Sequence, residues 1–172
     1  MNANAHVRGL SGRQSCAWLR LGDLRWPVVL GAAGISHFPR EGDMATPAAA
    51  LRPVCVFYRA DRLQRPLGAL PVRPIRPDDG WCDAAGHALY NRFVRHPFPA
   101  SAERLWRDDH AYDLLAVLDF NIHPRRQGRS SAIFLHLMHD DARPTAGCLA
   151  MREQHLRQLL QRLRPGAAMH VI

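Results

Sequence analysis

The sequence predicts a mainly β (α+β) fold built of sandwich-like sheets, with an amphipathic helix near the C-terminus and one short helix further in. Three observations carry this. Segments dense in β-branched and aromatic residues are short and alternate in polarity; 13 prolines and 12 glycines interrupt most of the chain; and one leucine stripe alone has helical spacing. At 172 residues and 19.4 kDa the chain fits a single domain, 1–172, large enough to bury a core without metal or disulfide.

In chain order, "CAWLRLG" (16–22) alternates and "RWPVVLG" (25–31) follows Gly22-Asp23, as in a hairpin. The stretch 36–53 has no periodicity and reads as a loop, and "VCVFYRA" (54–60) reads as a third strand. Pro66, Pro71, Pro74 and Pro77 keep 64–77 extended and edge-like, and 78–99 prolongs an irregular excursion of the kind usually kept for function. Ser101 looks like the N-cap of a short helix over 101–108. "YDLLAVLDF" (112–120) suits a central strand, and "AIFLHLM" (132–138) a strand buried on both faces. Leu156, Leu159, Leu160 and Leu163 fall on one helical face, which "RPG" ends before a last strand "MHVI".

The charge is +8, and all 23 cationic residues are Arg. Without lysine, a Schiff base, a Ser-Lys dyad and a phosphate-binding lysine are excluded. The arginines are scattered and no recognition helix or RNP-type aromatic pattern accompanies them, so no nucleic-acid partner is expected; an anionic polymer such as cell-wall material would suit the same charge. No stretch is long enough to span a membrane, and no export signal is read. A monomer is expected.

The four cysteines form no C-x-x-C pair, and Cys16, Cys55 and Cys82 read as small buried hydrophobes. Cys148 is different. Alternation places Ala132, Phe134 and His136 on one strand face, with His136 last before a loop that returns the chain to Cys148. An imidazole beside a thiol can take its proton and lower its pKa toward working pH. The thiolate would attack an amide carbonyl, with the Gly147 and Cys148 N–H groups as candidate oxyanion donors. Spacing alone leaves a reactive pair and an ordinary buried pair equally open. Zinc on His136, His139 and Cys148 is weaker, because positions three apart on a strand face opposite ways and no fourth ligand is evident. Neither metal nor cofactor is called for.

His136, twelve residues before Cys148, and the turn "TAGCLAM" (145–151) resemble the signature of the L,D-transpeptidase catalytic-domain (YkuD-type) family. "REGDMATP" (40–47) and "RPIRPDDGWCDAAGHALYNRFV" (73–94) resemble upstream segments of the same family, in the same order. The resemblance implies the family's mainly β fold and thioester chemistry on peptidoglycan stem peptides or muropeptides. It makes Cys148 the nucleophile and His136 the base, oriented by the Leu137 carbonyl, with Thr145 and Gly147 in the oxyanion turn. Trp81, Tyr90 and Asn91 become candidate substrate contacts. Members usually work in the cell envelope; the missing export signal leaves a cytoplasmic place open as well. Many members carry His before the motif glycine, where this chain has Ala146, and the His-to-Cys gap is short. Three readings stand: acyl transfer in wall cross-linking or remodelling, LD-carboxypeptidase or endopeptidase hydrolysis of the same bond, and a non-catalytic wall-binding module.

Overall fold

The computed structural model describes residues 4–172. Strands β1 (Ala5–Leu10), β2 (Arg13–Leu21) and β3 (Leu24–Val29) form an antiparallel meander. Leu21 pairs with Leu24, so Gly22 and Asp23 make the expected two-residue turn, and Gly22 supplies its positive φ of 60°. The stretch read as a loop holds only two-residue strands, β4 (Ile35–Ser36), β5 (Thr46–Pro47) and β6 (Ala50–Leu51), too short for any periodicity to register. Then come β7 (Pro53–Tyr58), β8 (Val72–Pro74), β9 (Asp79–Cys82), β10 (Arg92–Arg95), β11 (Ala102–Arg104), β12 (Leu114–Leu118), β13 (Phe134–Leu137), β14 (Leu149–Met151), α1 (Glu153–Arg162) and β15 (Met169–Val171).

Ten strands share one sheet in the order β6-β15-β1-β2-β3-β14-β13-β12-β7-β8. The proline-rich β8 takes an edge, where missing N–H donors cost least. One face carries a core that gathers Ala5, Val7, Leu19 and Trp26 from one half of the sheet with Leu114, Leu118, Leu135 and Met151 from the other. These residues lie on strands that neighbour one another in turn, so one continuous core runs along this face of the sheet. Helix α1 fills this face with Leu156, Leu159 and Leu160, followed by Leu163, all buried. Burial of each leucine is worth about 1.5–3 kcal/mol, ample for a ten-residue helix that is too short to stand alone.

A smaller sheet, β10-β9-β11, accompanies the second core, where Phe57, Trp81, Leu115 and Phe134 pack together. Two of its strands, β9 and β10, come from the irregular excursion, and β11 comes from the segment after it. They also correct one expectation: 101–108 is not a helix, because Ala102–Arg104 pairs with Cys82, Trp81 and Gly80. The Ser101 cap signal was local and the segment too short to nucleate a helix against that pairing. Among the described residues no helix is long and apolar enough to cross a membrane.

Candidate active site

Strand register builds the site. Leu135 pairs with Leu149 and His136 with Ala150 in the parallel β13–β14 pair. Cys148, two residues before Ala150, therefore shares the sheet face of His136, with Cα atoms on the order of 8 Å apart by strand geometry. Both side chains are buried, and both line a cleft of about 500 Å³.

The turn leading to Cys148 is braced on two sides. Thr145 bridges to Gly31, with its N–H on the Leu30 carbonyl (3.0 Å) and its carbonyl accepting from Ala32 N–H (3.0 Å). Its hydroxyl donates to the Cys148 carbonyl (2.6 Å) and accepts the Gly147 N–H (3.2 Å), closing the turn on itself. On the other side lies "DMATP". Gly31 N–H donates to Thr46 Oγ1 (2.9 Å), and a Cβ on Gly31 would stand 2.3 Å from the Met44 carbonyl oxygen. Gly147 has φ 135°, and a Cβ there would meet the Ala45 carbonyl oxygen at 2.9 Å. Only glycine fits this closely packed, left-handed position.

The His136 Nδ1 lies 2.8 Å from the Leu137 carbonyl. A carbonyl can only accept, so Nδ1 carries the proton and Nε2 is the basic atom. The ring packs edge-on against Tyr112, centroids 5.2 Å apart. Burial pulls the imidazole down to about 4, against the opposing pull of the Leu137 carbonyl.

The thiol departs from expectation. Sγ donates to the Ala132 carbonyl (3.2 Å) and accepts from Phe134 N–H (3.3 Å), so its hydrogen bonds run to β13 and its approach rather than to the imidazole. Burial, reinforced by the Glu103 carboxylate, pushes it up to about 12, while the Phe134 N–H and Arg107 oppose. The thiol pKa is raised, not lowered, because desolvation outweighs any cationic neighbour. At rest the pair is a neutral thiol and a neutral imidazole.

The cleft is polarised. Glu41, Asp83 and Glu103 contribute carboxylates; Arg107 and Arg143 contribute guanidiniums; Ala146 also lines the cleft. Tyr112 O–H donates to Glu103 (2.5 Å), and burial raises the Glu103 carboxyl against the pull of Tyr112 and Arg107. Glu41 is held by the hydroxyls of Tyr90 and Ser131. His139 accepts from Arg143 Nη2 (3.1 Å) and lies 4.0 Å from Asp109. Of these residues His139, Tyr90 and Ala146 were singled out from the sequence; carboxylates and arginines in loops carry no periodic signal.

The remaining sequence-predicted residues, Trp81, Tyr90 and Asn91, are buried and do not line this cleft. Asn91 Oδ1 accepts from Trp81 Nε1 (2.8 Å) and Ala132 N–H (3.0 Å), and its Nδ2 donates to Phe120 and Asn121 carbonyls. It therefore holds Ala132, a non-glycine residue at φ 51°, whose carbonyl receives the thiol proton. Trp81 meets Phe134 edge-on at 5.4 Å. Trp81 and Asn91 support the strand approach that Cys148 bonds to, and Tyr90 steadies Glu41, with polar atoms spent on internal bonds.

Two comparisons with known proteins find no match, neither a curated protein nor a solved structure. The family model YkuD, described as the L,D-transpeptidase catalytic domain, matches residues 12–172.

Proposed function

This chain belongs to the L,D-transpeptidase catalytic-domain family, and we propose that, as one catalytic domain, it performs cysteine-dependent acyl transfer on peptidoglycan stem peptides. The observation that carries the reading is the fixed tautomer of His136: Nδ1–H on Leu137, Nε2 basic, in the same cleft as the only cysteine that lines it.

The step runs from neutral partners. The thiol turns from the Ala132 carbonyl toward His136 Nε2, which takes its proton as Sγ attacks the carbonyl carbon preceding the terminal D-Ala. Proton transfer is concerted with attack, since a resting ion pair is strongly disfavoured when the thiol sits near 12 and the imidazole near 4. The oxyanion faces the turn, where the Cys148 N–H is the candidate donor and the Gly147 N–H, now on Thr145, can supplement it. Collapse breaks the C–N bond, His136 returns its proton to the leaving amine, and a thioester remains on Cys148. An incoming amine or water resolves it and regenerates the thiol.

Two features of the cleft bear on the outcome. The carboxylate wall suits the ammonium of an amine acceptor, and the arginines suit the carboxylate of the departing D-Ala. Ala146, where relatives often carry a bulkier imidazole, leaves room beside the thiol for water, which favours hydrolysis as the second reading. Incubation with a tetrapeptide muropeptide and excess D-amino acid separates them: transfer yields the exchanged tetrapeptide, hydrolysis yields free tripeptide. Loss of both products in Cys148→Ala is expected; undiminished release of D-Ala by that variant would refute the nucleophile.

A further inference from the structure

Outside the reactive cleft, one other built surface stands out. An open depression of about 720 Å³ is lined by His6, Arg8, Trp18, Arg20 and Arg25, with Asn4 and small residues at its rim. None of its lining residues is acidic, and Asp23, in the adjoining turn, is not part of its wall. Among the described residues Arg8, Arg20 and Arg25 enter no ion pair. Trp18 is 38% exposed, an unusual state for indole on a sheet face. The Arg25 guanidinium lies over its ring at 5.1 Å, and His6 stacks on His170 at 5.3 Å.

The register fixes where this surface lies. Cys16 pairs with Val29, Val29 with Ala150, and Ala150 with His136, so the four form one cross-strand row. Trp18 and Arg20 share the face of Cys16, while Ala17, Leu19 and Leu21 turn into the core. Arg8 lies opposite Trp18, and Arg25 opposite Arg20. The basic half and the catalytic half are thus one side of one sheet. Three strand spacings, about 14 Å, separate β2 from β13.

We propose that this half of the sheet is a second binding site, for an anionic peptidoglycan strand whose stem peptide enters the cleft. The inference rests on the wall-directed reading of the reactive site. Unpaired guanidiniums match the peptide carboxylates of neighbouring stems, and the indole held by Arg25 offers a flat platform to the apolar side of a sugar ring. Charge complementarity and a shared side of the sheet select this occupant.

The test measures retention of the Cys148→Ala protein on purified sacculi at rising salt, so that turnover cannot disturb binding. Arg8→Gln with Arg25→Gln, and separately Trp18→Ala, should each weaken retention, the double charge change by about tenfold. D-Ala release from a soluble tetrapeptide by the same variants with Cys148 intact should stay within about twofold, since these residues are remote from the cleft. Thermal melting checks that the variants fold. Unchanged retention overturns the proposal, and so does equal binding to anionic phospholipid vesicles or duplex DNA, which would mark a general polyanion surface. Failure of the catalytic reading would appear separately, as absence of D-Ala release from the soluble substrate by the unaltered protein.

Discussion

Cys148 and His136 are neutral at rest, and this has measurable consequences. Because the thiol lies near 12, its alkylation by iodoacetamide should climb steadily with pH past 9, without the plateau between about pH 5 and 8 that a thiolate-imidazolium pair produces. Because the free imidazole lies near 4, kcat/KM should hold through mild acid and fall only as pH approaches 4, rather than near the ordinary histidine value. An acid limb at 6.5 would contradict the buried base. His136→Ala should lower kcat by about 10²–10⁴-fold with the fold intact by circular dichroism. Gly147→Ala forces a Cβ to 2.9 Å from the Ala45 carbonyl oxygen at φ 135°; activity should collapse and stability fall by about 1–3 kcal/mol in urea unfolding. At this scale alternation was enough to put Phe134 and His136 on one face, but it left the relation of Cys148 to His136 open. It could not reveal that the thiol hydrogen bonds to Ala132 and Phe134, because that depends on a left-handed residue held by Asn91, 41 positions away.

Helix α1 shows where periodicity is sufficient, since four leucines at helical spacing are all buried. Leu159→Ala should cost about 2–5 kcal/mol, read from the urea midpoint, as a cavity opens under the sheet. Strand β11 shows where it fails: three residues beside a plausible cap are claimed by pairing to β9, which only tertiary structure supplies. The excursion 78–99 holds β9, β10 and the Asn91 network, so its length serves to support the Ala132 turn on which Cys148 rests. Asn91→Ala strands the Trp81 Nε1–H and Ala132 N–H without partners; a loss of about 2–5 kcal/mol is expected, with slower acylation of the variant that remains folded. Equal stability and full activity would remove Asn91 from this role.

For the whole molecule, the mainly β class and the C-terminal helix were legible in composition and spacing, whereas the joining of ten strands into one sheet was not. That order depends on parallel pairings, β13 with β14 and β15 with β1, between strands of three to six residues that no tight local turn joins. Strand β1, in which only Ala5 and Val7 are buried, went unread. Proton linkage also acts at this scale. His136 is held neutral when folded but takes a proton when unfolded, so its contribution to stability is complete above about pH 6.5 and is lost as pH falls toward 4. The most direct test of the account is intact-protein mass spectrometry after brief mixing with a tetrapeptide muropeptide. A mass gain equal to the muropeptide acyl group without its D-Ala, mapped to Cys148 and absent from Cys148→Ala, is the predicted result. D-Ala release with no adduct under rapid quenching, or an adduct that persists in Cys148→Ala, would contradict it.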